Sequence, residues 1–521
     1  MKHLSRTVSV LLALVLMMSL TTASAETTYP LSEEPITISY IASVGTNYVE
    51  FSTMEYFQKL GELTNVYLEG EIVTQNAAEK YTLMFASGDY PDISFSGCTD
   101  IQLRDAIEAG EVVALDELIE EYAPNWKALL ENPEYSYVKS AITWPDGHIY
   151  SLPFINLSWG TQIRDAWMIS SQWLKELEME MPATTDDFYA YLKALKDNAG
   201  TGTIPENVIP FACVWNSYAN GGVWEIFNAF GAYSGQNYIG VNTEDMTVYC
   251  SAVMPEMKAA LDYLHKLYSE GLMSPDMFTD DYTAFNNKSL ERPIIVGSYL
   301  RNRNVDESEQ YYTAMPALTS PTNDTPMFRP NNNQLSKNCF VMFSKCENKE
   351  IVMQYIDTLL DPLWSAQAVL GMMDGVTLTD NGDGTYTANS WPTDYVLQDY
   401  CPNNAVPVIS FSPWEQQNVS MSSTVKLAMH YIDDVYADAL MPVESLYPAS
   451  LMWSDEDAQT RCNELQTDIL AEIDVTFAKA IVEGITDAEF DTFVKNLDTL
   501  GLQEWIELQQ EQLDIYYGIT R

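Results

Sequence analysis

From residue 36 onward, segments with the hydrophobic pattern of a strand alternate with segments that have the pattern of a helix. Alternating or short apolar runs predict strands at Ile36–Ile41, Val66–Val73 and Ile93–Phe95. The two segments between them carry apolar residues at helical spacing and end at Gly61 and Gly88, because glycine tolerates the left-handed conformation that closes a helix. The order β-α-β-α-β with short connections predicts a parallel sheet with helices on both faces.

Similar patterns mark helices near the end of the chain. Apolar residues recur at every fourth position through residues 465–481. Thr486 and Glu489 form a capping box for a further helix, which we expect to stop at Gly501. Before these helices, the stretch LTDNGDGTYTA at 378–388 predicts a hairpin turn rather than a calcium site, since its spacing does not fit the EF-hand pattern.

The first 25 residues have the organisation of an export signal. Lys2 and Arg6 precede an apolar stretch, residues 8–20, that is short for a membrane-spanning helix. Residues 23–25 supply the small side chains that a signal peptidase requires. We therefore expect cleavage after Ala25 and an extracellular protein; the alternative is an uncleaved signal anchor.

The charge balance excludes several classes of partner. Hydrophobic residues make up 46% of the chain and charged residues 19%, which is typical of a globular protein. The 26 Lys and Arg residues stand against 74 Asp and Glu residues, for a net charge of −48. A surface of this sign repels nucleic acid phosphates and anionic lipid headgroups, so we predict no nucleic acid partner.

Residue patterns typical of enzymes and metal sites are missing from the sequence. The seven cysteines contain no C-x-x-C pair, which leaves buried thiols and one or two disulfides both open. His148, His265 and His430 lie outside any H-E-x-x-H motif, and there is no G-x-S-x-G, G-x-x-x-x-G-K or G-x-G-x-x-G. We therefore predict no catalytic residues, no metal and no cofactor. A secreted glycan-active enzyme stays open, since 74 acidic residues make some carboxylate pair at glycosidase distance inevitable.

Loops rich in aromatic and amide side chains favour ligand binding instead. Sugars pack their flat C–H faces on aromatic rings and need polar partners for their hydroxyl groups. The candidate ligand residues in these loops are Trp159, Arg164, Trp215, Asn216, Tyr218, Trp224, Tyr299, Arg301, Asn331, Asn332 and Trp414. Positions beyond the first and third strands add Ser43, Asn47, Ser96 and Asp100.

Each of these candidates has a structural alternative. A tryptophan in a long chain is often a core residue, and asparagines often serve turns. The loop FRPNNNQ that supplies Asn331 and Asn332 also offers Arg329. Both Arg301 and Arg329 have acidic side chains available across the surface as structural partners. For Asp89 and Asp92 we favour the structural role, in which they fix the turn between a helix and the third strand.

Six segments in order carry a family pattern over nearly the whole chain. They are YTLMFASGDYPDI (81–93), AGEVVALDELIEEYAPNW (109–126), DGHIYSLPF (146–154), WLKELEMEMPATTDDFYAYLKALKD (173–197), ALDYLHKLYSEGLMSPDMF (260–278) and AKAIVEGITDAEFDTFVKNLDTLGLQEWIELQQEQLD (478–514). Together they resemble the extracellular solute-binding proteins of ABC importers, in the large Gram-positive group that includes the lipoprotein LplA. Two features depart from that group: the first cysteine is Cys98, so no lipobox cysteine is present, and residues 197–208 carry too few carboxylates for a calcium loop.

The resemblance implies an α/β protein with the two-lobe periplasmic-binding-protein type II fold and crossing hinge strands. It places the first lobe at residues 26–154 and 293–358 and the second at 155–292 and 359–521. The lobes of such proteins close on ligand by a hinge motion.

The expected function is that of the substrate-binding component of an ABC transporter. It captures an oligosaccharide between its lobes, passes it to membrane permease subunits and carries out no reaction; we expect a monomer. A peptide or another polar nutrient is the alternative ligand, and a sensory or adhesive role without transport is a further alternative.

Overall fold

The computed structural model describes residues 27–157, 163, 165–215, 217–218, 221–302, 311–331, 335–389, 392, 395–421, 434–449, 452 and 456–521. The expected export signal lies outside these residues. The described chain divides into two compact units, which we call the first unit (up to residue 155, 336–378 and 393–410) and the second unit (156–335, 379–392 and 411–521).

The strands of the described residues form four sheets. In chain order the strands are β1 (Ile36–Ser43), β2 (Val66–Val73), β3 (Ile93–Phe95), β4 (Ser151–Asn156), β5 (Asp165–Ser170), β6 (Ile209–Ala212), β7 (Ile239–Asn242), β8 (Thr247–Cys250), β9 (Val296–Asn302), β10 (Tyr312–Ala314), β11 (Leu335–Met342), β12 (Leu378–Asp380), β13 (Tyr386–Ala388), β14 (Ile409–Ser410) and β15 (Val419–Met421).

Helices cover much of the remaining described chain. Their bounds are Glu55–Thr64, Ala77–Ser87, Asp100–Glu108, Asp116–Tyr122, Pro124–Glu131, Ser136–Ile142, Ser171–Glu176, Thr185–Asp197, Trp224–Phe230, Pro255–Ser269, Tyr282–Leu290, Lys349–Leu359, Pro362–Leu370, Pro413–Asn418, Glu456–Glu483, Asp487–Leu500 and Leu502–Tyr517. Within the described ranges, no helix has both the length and the apolar character needed to cross a membrane.

The first unit is built on a six-stranded sheet in the order β14-β4-β11-β3-β1-β2. β1 pairs in parallel with β2 and with β3, and β11 runs antiparallel to β3. The predicted parallel β-α-β-α-β order is thus confirmed. Asp92 ties the approach to β3 to β1, since its Oδ2 accepts from the Ser39 N–H (2.8 Å) and the Ser39 hydroxyl (2.7 Å).

The predicted helix ends are confirmed at Gly88 and Gly501 and are wrong at Gly61. Gly88 and Gly501 follow their helices with φ of 66° and 97°. The first helix instead runs past Gly61 to Thr64, and Asn65 takes the left-handed conformation with φ of 60°. A Cβ on Gly61 would lie 2.7 Å from the Tyr67 ring, so this glycine allows a close approach rather than a helix stop.

The second unit contains a four-stranded sheet in the order β10-β5-β9-β6. β9 runs parallel to β6 and antiparallel to β5. The ends of β6 and β9 therefore share one edge with the beginning of β5. The C-terminal helices pack on this unit's core through the predicted stripe of Leu465, Ile469, Ile473, Phe477 and Ile481, all buried.

The compact units differ from the expected lobes in their later segments. Residues 293–335 were expected in the first lobe, but β9 pairs with β5 and β6, and the segment belongs to the second unit. Residues 359–378 and 393–410 belong to the first unit instead of the second. The resemblance implied the lobe boundaries, but a sequence motif does not identify the sheet that a strand joins, which is why these boundaries differ.

Candidate functional site

The loop after β6 is held against the end of β9 at the shared edge of the second unit's sheet. The Gly221 N–H donates to the carbonyl of Leu300 at 2.6 Å, and the Trp215 N–H donates to the carbonyl of Met277 at 2.7 Å. These bonds fix both ends of the loop that carries Trp215 and Tyr218. Sheet edges where parallel strands end are common ligand sites, because the strand ends and their loops converge there.

Trp215 is half-buried and has a carboxylate partner. Its indole Nε1 donates to Oδ1 of Asp474 at 2.5 Å, and its ring lies 5.9 Å from that of Phe278. Asp474 is half-buried on the helix Glu456–Glu483. The carboxylate therefore orients the indole ring while part of both side chains stays accessible.

Tyr218, Trp224 and Tyr238 extend this arrangement, and with Trp215 we call them the aromatic cluster. The ring centroids of Tyr218 and Trp224 are 5.1 Å apart in an edge-to-face arrangement, and those of Trp224 and Tyr238 are 4.6 Å apart. Burial, and to a smaller extent the Asp474 carboxylate, raise the pKa of Tyr238. Trp215 and Tyr218 are half-buried, whereas Trp224 and Tyr238 are buried, and Trp224 packs against Tyr218.

A buried ion pair between Arg329 and Glu225 packs against Tyr218. Arg329 Nε donates to Glu225 Oε1 at 2.7 Å, and the two residues are 7% and 5% exposed. The guanidinium also donates to the carbonyl of Tyr218 at 2.6 Å and lies 4.3 Å from the centre of its ring. Burial acts to lower the pKa of Arg329, but Glu225, together with Tyr218 and Asp165, outweighs it and the pKa is raised.

Two predicted ligand residues on β9 are buried. Tyr299 is 2% exposed and packs on Tyr312 at 4.9 Å, which makes it a core residue of the second unit. Burial raises its pKa to about 12. Arg301 is also buried, and it pairs with Ala166 where β5 begins. Asn331 is half-buried two residues after Arg329.

Trp414 lies in the short helix Pro413–Asn418, and its ring packs on the small three-stranded sheet β12-β13-β15 rather than in the aromatic cluster. It is half-buried and packs on Tyr386 of β13 at 5.7 Å. Its neighbour Glu415 is buried and completes a capping box, accepting from the Ser412 N–H at 2.9 Å. Burial raises the pKa of Glu415 to about 8.

The four candidates of the first unit gather near the ends of β1 and β3. Ser96 has a φ of 59°, and its hydroxyl donates to the carbonyl of Ala405 at 3.1 Å. Asp100 accepts from Asn338 Nδ2 and from Lys337 Nζ, each at 2.7 Å. Ser43 is half-buried at the end of β1, and Asn47 is exposed in the loop that follows. Four other candidates, Trp159, Arg164, Asn216 and Asn332, lie outside the described residues.

The sequence pattern of the bacterial extracellular solute-binding protein family matches residues 55–363, which is more than half of the 521-residue chain. The chain belongs to this family. As a solute-binding protein it has the two-lobe α/β fold of its solved structural neighbours.

Two relatives are similar along almost their entire length. The fructooligosaccharide ABC transporter substrate-binding protein FusA of Streptococcus pneumoniae is 27% identical over 94% of this chain and 92% of its own. The solved structure of FusA in complex with kestose matches with a TM-score of 0.79, covering 92% of this chain and 99% of that one. A solute-binding protein of Bifidobacterium longum infantis that binds HMO shares the fold with the same TM-score at 20% identity, over 94% of this chain and 100% of that one.

Several residues of this solute-binding protein's candidate site were missed by sequence reasoning. Asp474 and Trp215 are 259 positions apart, and Arg329 and Glu225 are 104 apart. Glu225 could have been singled out from the sequence, because it is a charged residue directly after the candidate Trp224. Asp474 follows Ile473 of the apolar stripe and carried no such signal. Tyr238, Lys337 and Asn338 were likewise not singled out.

In the loop at residues 197–208, which corresponds to the calcium loop of some relatives, Thr203 is hydrogen-bonded to a carboxylate of the protein. Glu176 accepts from the Thr203 N–H at 2.8 Å and from the Thr203 hydroxyl. Within the described residues, no group of three or more His, Cys, Asp and Glu side chains is arranged to hold a metal ion.

All seven cysteines are among the described residues, and they are buried free thiols.

Proposed function

We propose that this protein is the extracellular substrate-binding component of an ABC transporter, that it captures an oligosaccharide and that it delivers the ligand to membrane permease subunits. The observation that carries this proposal is the similarity to FusA over 94% of this chain and 92% of that protein. A match of this extent includes both compact units, as expected of a shared binding function rather than of one shared domain.

The aromatic cluster supports an oligosaccharide ligand physically. Trp215 and Tyr218 are half-buried rings, and backbone hydrogen bonds hold the chain at Trp215 and at Gly221. Aromatic rings that are restrained in this way lose less conformational entropy on binding than freely rotating side chains. The Asp474 carboxylate beside Trp215 is suited to accept hydroxyl groups of a sugar.

We propose further that the two units are the ligand-binding lobes and that the protein leaves its ligand chemically unchanged. Candidate contacts are Trp215, Tyr218 and Asn331 in the second unit, and Ser43, Asn47, Ser96 and Asp100 in the first. The monomeric state, the cleavage after Ala25, the closure of the lobes and the LplA-like subgroup stay predictions.

The test is a binding screen with the chain from Glu26 to Arg521. Melting temperature is measured against neutral oligosaccharides, including kestose, and against peptides of matched length, and positive ligands are titrated by calorimetry. We expect saturable binding of at least one oligosaccharide, with unchanged ligand recovered by chromatography. Binding of peptides alone would refute the oligosaccharide assignment, and released sugar fragments would refute the absence of catalysis.

A further inference from the structure

Among the described residues, the cation that contacts the aromatic cluster is already paired with a carboxylate. Arg329 is the cation in contact with the cluster, and Glu225 neutralises it at 2.7 Å. Its remaining described contacts are with Tyr218, through the carbonyl and the ring face. The guanidinium is therefore already engaged and almost completely buried, so it is not available to a ligand carboxylate.

Asp474 contributes a negative charge that the described residues do not neutralise. Its recorded partner is the neutral indole N–H of Trp215, and no Lys, Arg or His in the described ranges lies within ion-pair distance of it. A carboxylate has about four lone-pair sites, so the bond from Trp215 leaves acceptor capacity on a half-exposed group. Because this carboxylate oxygen is 2.5 Å from the indole nitrogen, a sugar ring stacked on Trp215 would lie beside it.

The first unit shows the same pattern at its own strand ends. Lys337, whose side chain is 11% exposed, is paired with Asp100 at 2.7 Å. The cation in contact with the candidate residue Asp100 is thus also paired. Over the whole chain, acidic residues outnumber basic ones by 74 to 26, so the longer-range field has the same negative sign.

We infer that the ligand carries no negative charge on the sugar ring that packs against Trp215, and that Asp474 is the specificity-determining residue that enforces this. The inference rests on the proposed function. Asp474 accepts a hydroxyl group from an uncharged sugar and repels a carboxylate, sulfate or phosphate at the same position. The carboxylate oxygens of Asp474 thus attract a neutral sugar through a hydrogen bond and repel an anionic one through their charge, and selectivity arises from both effects.

The experiment compares two matched probes, kestose and kestose whose primary hydroxyl groups have been oxidised to carboxylates. Dissociation constants are measured by calorimetry at low and at high salt, with galactotriose and trigalacturonic acid as a second neutral and acidic pair. We expect neutral probes to bind with little dependence on salt, and acidic probes to bind more weakly, with the difference shrinking as salt screens the repulsion.

The decisive variant is Asp474→Asn, which keeps an oxygen for the Trp215 indole and removes the charge. We expect its affinity for the neutral probe to fall about tenfold to hundredfold, as a charge-assisted hydrogen bond is lost, and its discrimination against the acidic probe to narrow. The matched control is Asp468→Asn, which removes the same charge from an exposed position on the same helix and should behave like the unaltered protein.

The outcomes separate this inference from the proposed function. Tighter binding of the acidic probe, or a D474N variant that binds both probes like D468N, would overturn the role of Asp474 while leaving oligosaccharide binding intact. If no glycan binds to any variant, the proposed function fails, and this inference fails with it. Melting temperature and tryptophan fluorescence of D474N establish that the variant is folded.

Discussion

Removing the charge of Glu225 is predicted to destabilise the second unit strongly. Glu225→Gln preserves the size of the side chain and a carbonyl oxygen for Arg329, but it leaves the guanidinium charged in a site where only 7% of the residue is exposed. Arg329 keeps its bond to the Tyr218 carbonyl. Asn228 Nδ2 donates to the second oxygen of Glu225 at 2.9 Å, so the variant tests the charge and this acceptor while it preserves the packing.

The expected magnitude follows from the geometry of the pair. With Nε and Oε1 2.7 Å apart, the charge centres are about 4 Å apart, and their attraction is about 4 kcal/mol at an effective dielectric constant near 20. Breaking a buried pair by removing one partner costs about 3–5 kcal/mol, because the remaining charge is desolvated without compensation. The double variant Glu225→Gln with Arg329→Met should cost less than the sum of the single variants, since neither charge remains.

The assay is urea unfolding followed by circular dichroism and tryptophan fluorescence. Because the chain has two compact units, the unfolding curves are fitted to two transitions. The free energy of unfolding is then compared between variants for the transition that Glu225→Gln and Arg329→Met both shift. The matched control is Glu504→Gln, which removes the partner of Arg461 at the same distance of 2.7 Å in an exposed pair. Exposed pairs contribute little, so its effect should be small. If E225Q is no more destabilising than E504Q, the reasoning about desolvation is wrong.

Three further predictions concern the rest of the molecule. Burial raises the pKa of Glu415 from 4.5 to about 8, so its contribution to stability is fully present below pH 4.5 and is lost as pH rises toward about 8. Melting temperatures across this range should therefore fall less for Glu415→Gln than for the unaltered protein, and parallel curves would contradict the assignment. Gly70→Ala should lower the free energy of unfolding by about 3 kcal/mol or more, because the new Cβ would lie 1.9 Å from the Tyr40 carbonyl oxygen; urea unfolding checks this, with the exposed neighbour variant Glu69→Ala expected to be mild. The buried thiols should not react with Ellman's reagent until denaturant is added, when seven should react; reaction of several thiols in the native protein would contradict their burial.

Local features were predicted well because they depend on backbone geometry over a few residues. The alternation in Val66–Val73 and the capping box of Thr486 and Glu489 follow from side chains close in sequence or from simple periodicity. Asp92 instead accepts from Ser39, 53 positions earlier on β1, a contact that local reasoning did not predict. Gly61 shows the limit of such reasoning, since the Tyr67 ring and not the helix itself requires the glycine.

The sequence by itself determined the alternation of strands and helices, the acidic character and the family of this protein. Tertiary structure decided which candidate residues share a site. Tyr299 is buried in the core of the second unit. Trp215 donates a hydrogen bond to Asp474, 259 positions away in the sequence, and Arg329 forms an ion pair with Glu225. The hydrophobic period depends only on the geometric repeat of a single strand or helix. These contacts depend instead on which strands pair and on how helices pack over the sheets. Local sequence patterns do not specify that pairing and packing.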